Sequence, residues 1–265
     1  MNFYWIYEIP LLLSFLLING FFVLYSVGGL WVARKTFHKK LTYSHDRNEQ
    51  VSFFLAAIGV FYGITLGLVA IGTWETHDQV EKSVSQESAA LGALYRDANA
   101  FPEPKRTQLQ NMLRDYTHDV ITEDWPLQQR GIVPVKGVNT FTDFHKALTA
   151  FEPKDVREEV ILVSTLHMYD EFMTTRRLRL LSVSSGLPAI VWMITIVGAL
   201  ASIAFFWFFV MEDKYIQAIL TMMVSFFIGV MIFMIAMLDN PYRGTVSVSP
   251  DSFKLIYEQL MGGKL

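Results

Sequence analysis

The chain contains no cysteine in its 265 residues. Disulfide bridges, thiolate catalysis and thiolate metal sites are therefore excluded, although the redox state of the compartment does not follow from this absence. The sequence also lacks a phosphate-binding P-loop, a dinucleotide fingerprint, an HExxH zinc motif and a nucleophile elbow. We therefore predict a protein that is not an enzyme, needs no cofactor and holds no metal ion.

Charged side chains are absent from four long apolar runs, at 9–32, 51–71, 187–211 and 215–238. About 20 helical residues cross the roughly 30 Å hydrocarbon core of a bilayer, because each residue adds about 1.5 Å. Each run is therefore predicted to be a transmembrane helix, since a charge at the bilayer centre is costly. The same absence removes the titratable group that a proton pump or ion-coupled transporter uses at membrane depth.

The chain also has little net charge, because 22 basic residues and 25 acidic residues give a formal value of −3. We expect no nucleic-acid partner. The N-terminus before the first apolar run contains no basic residue, and no small-residue cleavage motif is present. We interpret this run as a retained membrane anchor and not as a cleaved signal peptide.

The four runs form two pairs on either side of a polar section. The first pair lies in 1–75, with a basic loop at 33–50, and the second pair forms a hairpin at 186–240. The polar section at 76–185 is predicted to be an extramembrane domain, and 241–265 a C-terminal tail. Because only a few residues join the second pair, its helices must be antiparallel neighbours.

The polar section is predicted to be helical. Val80, Val84 and Leu91 recur at helical spacing, with the small Ser88 in the gap. The fold class is therefore an all-α membrane protein, with four transmembrane helices and a helical extramembrane domain between helices two and three. We expect helices two and three to continue into this domain without interruption.

Basic residues bear on the orientation in the membrane. The first loop carries Arg34, Lys35, Lys39, Lys40 and Arg47. The positive-inside rule then predicts that the extramembrane domain and both termini lie outside the cell. Arg176, Arg177 and Arg179 precede the third helix and count against this orientation. The same three arginines are predicted to contact anionic lipid head groups.

Helix two carries a stripe of small residues, Gly59, Gly63 and Gly67, which lie four residues apart on one face. Small residues allow another helix to approach closely. Three interpretations fit: packing within one subunit, packing between subunits of an oligomer, and a narrow pore flanked by Tyr62 and Thr65.

Asn19 is the most costly polar residue of the first helix, because its amide needs hydrogen-bonding partners in lipid. It is predicted to hold helices together, and ion binding is the alternative. At the far end of helix four, Asp239, Asn240 and Arg243 follow the apolar run, and Glu75 follows helix two. These residues are predicted to form either a charged clasp at the membrane boundary or a charged ring at a pore mouth.

Several segments together resemble a known family. They are GVFYGITLGLVAIGTWE, QESAALGALYRDANAFPEPKR, EDWP, RRLRLLSVSSGLPAIVWMITIVGA and LDNPYRGTVSVSPDSF, in this order. Their order and spacing resemble a bacterial family with a bestrophin-like domain, over nearly the whole chain after the first helix. True bestrophins are pentameric anion channels with four membrane helices in each subunit. Their aromatic pore constrictions and acidic calcium clasp have no residue-by-residue match here, although Asp239 and Asn240 lie at a similar place.

The glycine stripe and the amphipathic helices of the domain predict a homo-oligomer. The resemblance implies a passive ion channel of the bacterial inner membrane, with anions preferred and helix two lining the pore. It also implies a cytosolic position for 76–185, which opposes the prediction from charge. A non-conducting membrane scaffold or stress-response interaction protein is the alternative. A stator-like energy transducer fits less well, because no apolar run contains a titratable residue. The expected partners are the lipid bilayer, further copies of the chain and inorganic ions.

Overall fold

The computed structural model describes residues 4–36, 45–135, 137–211 and 213–264. All regular structure within these ranges is helical, which confirms the predicted fold class. The helices are α1 (Leu11–Thr36), α2 (His45–Ala98), α3 (Lys105–Asp119), α4 (Trp125–Gln129), α5 (Gly137–Thr149), α6 (Val156–Ser182), α7 (Ala189–Phe205), α8 (Lys214–Leu238) and α9 (Asp251–Gln259). A π-helical turn at Val120–Asp124 joins α3 to α4, and a 3₁₀ turn at Phe206–Phe208 follows α7.

The four predicted membrane spans are confirmed. Within the described ranges, α1, α2, α7 together with the 3₁₀ turn after it, and α8 are long and apolar enough to cross a bilayer. In each of these helices, at most 28% of the residues of an apolar 18-residue segment are buried inside the chain. Most of their side chains are therefore available to contact lipid or further protein chains.

The chain divides into two compact units. The membrane unit consists of Met1–Glu75 and Gly186–Asp239, and the extramembrane unit consists of Thr76–Ser185 and Asn240–Leu265. The C-terminal segment was expected to be a separate tail, but its helix α9 packs within the extramembrane unit, where Phe253 is fully buried. Val80, Val84 and Leu91, which form the predicted apolar face of the helix, are all buried.

Of membrane helices two and three, which were both expected to continue into the extramembrane domain, only helix two does so. Helix α2 is uninterrupted from His45 to Ala98 and supplies residues to both units. The third membrane helix is interrupted, because α6 ends at Ser182 and α7 begins only at Ala189. Pro188 explains the interruption, since proline disfavours a helical conformation in the residue before it.

The polar residues of the membrane unit point inward. At most 5% of the surface is exposed for each of Ser14, Asn19, Ser26, Thr195, Ser202, Gln217, Thr221 and Ser225. Several of their hydroxyl groups donate to carbonyl groups of their own helix; Ser225 Oγ, for example, lies 3.0 Å from the carbonyl oxygen of Thr221. This arrangement satisfies polar groups that would otherwise face hydrocarbon.

Trp207 fixes the 3₁₀ turn after α7 against α1. Its Nε1 donates to the carbonyl oxygen of Ser26 at 3.1 Å. The indole ring occupies the space beside Gly29, because a Cβ atom placed on this glycine would overlap the ring. Gly29 is therefore required for the close approach of the indole to the helix.

We predict that Gly29→Ala lowers the thermal stability of the detergent-purified protein. The new methyl group overlaps the Trp207 ring, and overpacking of this kind costs about 1–3 kcal/mol. Gly28→Ala is the matched control, because no described atom lies within 4 Å of the place that its new methyl group would take, and alanine favours a helix. Equal unfolding temperatures for the two variants would show that Trp207 does not constrain this position.

Candidate pore-facing helix and polar clusters

The glycine stripe of α2 is open within the chain. No described atom lies within 4 Å of a Cβ atom placed on Gly59, Gly63 or Gly67. The interpretation that the stripe packs against another helix of the same chain is therefore wrong. Packing between subunits and the lining of a pore remain as interpretations.

The rest of α2 in the membrane unit is almost as open. Only a narrow face, with Leu66 and Ala70, is buried against the other spans. The opposite faces carry large apolar side chains that are more than half exposed: Phe53, Phe54, Val60, Phe61, Ile64 and Leu68. Exposed apolar surface of this extent in a membrane helix is available to lipid or to another subunit.

Tyr62 packs against α7. Its hydroxyl group donates to the carbonyl oxygen of Thr195 at 2.9 Å, and its ring fills the space beside Gly198. Thr65 is partly buried, and its hydroxyl group donates to the carbonyl oxygen of Phe61 in the preceding turn. The side chain of Tyr62 therefore attaches α2 to α7, which differs from the expected place of Tyr62 beside a pore.

Asn19 lies at the contact between α1 and α8. Its side chain is 4% exposed, and its Nδ2 donates to the carbonyl oxygen of Phe15 at 3.0 Å. Its Oδ1 lies 2.7 Å from the place where a Cβ atom of Gly229 would be. This geometry favours the predicted role in holding the helices together, because Gly229 lets the amide approach the backbone of α8.

Asp239 joins the end of α8 to the beginning of α7. Its carboxylate accepts hydrogen bonds from the backbone N–H of Leu187, at 2.5 Å, and from Nε1 of Trp192, at 3.1 Å. Within the extramembrane unit, Arg243 donates to the carbonyl oxygen of Arg130 at 2.6 Å, and its own backbone N–H donates to the carbonyl oxygen of Asn240 at 2.9 Å.

Glu75, at the other end of the predicted boundary cluster, is exposed. Direct pairing of Asp239 with Arg243 stays a prediction. The observed hydrogen bonds of Asp239 instead connect the end of α8 with Leu187 and Trp192, at the beginning of α7.

We predict that Asp239→Asn and Trp192→Phe have non-additive effects on the unfolding temperature. Each substitution removes or weakens the same hydrogen bond, so the double variant should lose less stability than the sum of the single variants. Ile190→Val, at an exposed position of α7, serves as the control partner and should combine additively with Asp239→Asn. Additive effects for both pairs would contradict the clasp.

Of the three arginines that were predicted to contact lipid head groups, two are buried. Arg176 and Arg179 are 4% and 0% exposed, and only Arg177 is exposed. Arg179 forms a bidentate ion pair with the fully buried Glu87, at 2.5 Å from Nε to Oε2 and 3.1 Å from Nη2 to Oε1. The predicted lipid contact of Arg176 and Arg179 is therefore wrong, because their charges are used inside the extramembrane unit.

Tyr116 connects the members of this cluster. Its hydroxyl group donates to Glu87 Oε1 at 3.0 Å and accepts hydrogen bonds from Arg176 and Arg179 at 3.2 and 3.3 Å. Burial, followed by the nearby charge of Glu87, raises the pKa of Tyr116, so the phenol stays neutral. The aromatic rings of Phe141 and Phe172 enclose the phenol.

Sequence reasoning missed Glu87, although the spacing contained the signal. Val80, Val84 and Leu91 lie on one buried face, and residue 87 falls on the same face because it follows Val84 by three and precedes Leu91 by four. The prediction assigned this gap to Ser88 alone. A carboxylate at a core position indicates a buried cationic partner, since a buried charge is stable only when paired.

We predict that Glu87→Gln strongly destabilises the protein, by about 3–5 kcal/mol, because the buried Arg179 loses its counter-charge. Asp78→Asn is the matched control on the same helix, since it removes an exposed i,i+4 pair with Lys82 and should change stability little. The measurement is thermal unfolding in detergent. Equal effects of the two substitutions would contradict the structural role of the buried pair.

Among the described residues, no group of three or more histidine, aspartate or glutamate side chains is arranged to hold a metal ion. The helices and these clusters define a four-span, all-helical membrane protein in which the second span continues into an extramembrane unit.

A family model described as a Bestrophin-like domain matches residues 20–253, and the chain belongs to this family. Among the curated proteins, none matches the chain significantly.

Solved structures show the same fold. A mutated bacterial bestrophin homologue from Klebsiella pneumoniae is 11% identical, with a TM-score of 0.66 over 94% of this chain and 97% of that chain. A structure of the Klebsiella pneumoniae homologue phased with zinc is also 11% identical, with a TM-score of 0.66 over 94% and 99% of the two chains. A mutated membrane protein, again 11% identical, reaches a TM-score of 0.69 over 94% and 99%.

Proposed function

We propose that several copies of this chain surround an axial pore and conduct inorganic anions passively across the bacterial inner membrane. The observation that supports this proposal most directly is the open glycine stripe on α2, at Gly59, Gly63 and Gly67. A stripe that nothing described in its own chain covers is suited to a neighbouring copy or to a permeation path.

The passive mechanism is supported by what the spans contain. Their apolar runs carry no Asp, Glu, Lys, Arg or His, so no side chain in them can take up and release a proton during transport. Ions would diffuse along the pore, driven only by their electrochemical gradient. The preference for anions rests on family membership, because bestrophins are anion channels.

The side of the membrane on which the extramembrane unit lies stays a prediction. The positive charges of the first loop favour an outside position for this unit, whereas the bestrophin plan favours the cytosol. Burial of Arg176 and Arg179 weakens the charge-based objection to the outside position, because these groups do not present their charge at the membrane surface.

Flux measurements on purified protein in liposomes test the proposed activity. We expect chloride efflux, measured with a chloride electrode, to exceed that of protein-free vesicles, and the reversal potential in a potassium chloride gradient to follow chloride. A reversal potential that follows potassium would contradict the anion preference but not the channel activity. Absence of flux from a correctly reconstituted oligomer would contradict the channel and favour the membrane scaffold.

We predict that Gly63→Leu reduces chloride flux or dissociates the oligomer, because the new side chain fills the open stripe. Gly28→Leu on α1 is the matched control, since this glycine also faces open space. Size-exclusion chromatography with light scattering reports the oligomer, and liposome flux reports the pore. Unchanged oligomer mass together with unchanged flux in Gly63→Leu would contradict both remaining interpretations of the stripe.

A further inference from the structure

A cavity of about 130 Å³ lies between the 3₁₀ turn after α7 and the first turns of α8. Its walls are apolar apart from one amide and one hydroxyl: Phe206, Phe209, Met211, Gln217, Leu220 and Thr221. The volume is comparable to the roughly 150 Å³ of an engineered apolar cavity that takes up benzene. A short stretch of hydrocarbon therefore fits inside.

The walls of the cavity are held in place by defined contacts. Gln217 is 3% exposed, and its Nε2 donates to the carbonyl oxygen of Phe209 at 2.6 Å. Its Oε1 accepts a hydrogen bond from Nη2 of Arg34 at 3.1 Å. Both ends of the amide are thus bound by protein partners, which leaves a mainly hydrocarbon surface for an occupant.

The mouth of the cavity opens on the apolar outer surface of the membrane unit. Leu220 both lines the cavity and is 46% exposed, and Ile216 and Ile219 beside it are about half exposed. Leu220 lies six residues after Lys214, which is about 9 Å along the helix axis. The cavity therefore lies within the apolar span, close to the charged beginning of α8.

Positive charge lies at the level above the cavity. Arg34 donates to the backbone carbonyl oxygen of Lys214 at 2.6 Å, which places its guanidinium group at the first turn of α8. Arg34 has no carboxylate partner among the described residues, and its buried Nε has no hydrogen-bond partner there. The nearest carboxylate in sequence to Lys214, that of Asp213, accepts from the backbone N–H groups of Tyr215 and Ile216.

We propose that this cavity binds an acyl chain of a membrane glycerophospholipid whose phosphate group lies against Arg34 and Lys214. An apolar recess that opens toward hydrocarbon is filled most readily by a lipid chain, because an unfilled recess forfeits dispersion contacts. A guanidinium group that pairs with no carboxylate of the described residues suits a phosphate. The proposal is independent of ion conduction and holds equally for a scaffold.

Native mass spectrometry of the full chain, purified from bacterial membranes in mild detergent, tests the acyl-chain part. We expect the wild-type chain to retain phospholipid that Leu220→Trp loses, because the larger side chain obstructs the mouth. Ile219→Trp is the matched control, since Ile219 is exposed but does not line the cavity. Equal retention by Leu220→Trp and Ile219→Trp, or no retention by the wild type, would overturn the proposal.

Thermal shifts of the delipidated chain test the phosphate part, and the comparison of two lipids on the wild type does not depend on a variant that folds. We expect phosphatidylglycerol to raise the unfolding temperature more than diacylglycerol, which has the same chains without a phosphate. Arg34→Gln should abolish this difference, and Lys35→Gln should keep it. Equal shifts for the two lipids would overturn the phosphate contact.

Discussion

The hydrocarbon interior of the bilayer, which offers no hydrogen-bonding partner, is the constraint on which the arrangement of this chain depends. Polar residues of α1, α7 and α8 are turned inward, and Asn19 meets the backbone of α8 at Gly229. In contrast, α2 has only one narrow face buried against the other described spans, and its glycine stripe and several of its aromatic residues are open.

In the extramembrane unit, buried polar groups also need partners, and here charged side chains supply them. Its core contains a buried ion pair of Glu87 with Arg179, and a neutral phenol at Tyr116 bridges Glu87 to a second arginine. Such a pair contributes little net stability compared with apolar residues of the same size, but removal of one partner leaves an uncompensated charge. The cluster therefore links three helix faces, since Glu87 belongs to α2, Tyr116 to α3 and Arg179 to α6.

The sequence predicted what depends on local pattern. Apolar runs without charge identified all four spans, and the spacing of Val80, Val84 and Leu91 identified a buried helix face. What it missed depends on partners distant in the chain. Arg179 resembles a membrane-surface arginine when only its neighbours are considered, and its partner Glu87 lies 92 positions away. Pro188 indicated a break before α7. The prediction missed it because the apolar run begins at residue 187, directly before this proline.

The open face of α2 is also the strongest reason to regard one chain as incomplete. A soluble domain rarely leaves contiguous apolar patches uncovered, but a membrane helix can cover them with lipid, so exposure alone does not require a partner. The glycines favour the proposed close approach, because a flat groove of backbone gains more from a complementary helix than from mobile lipid chains.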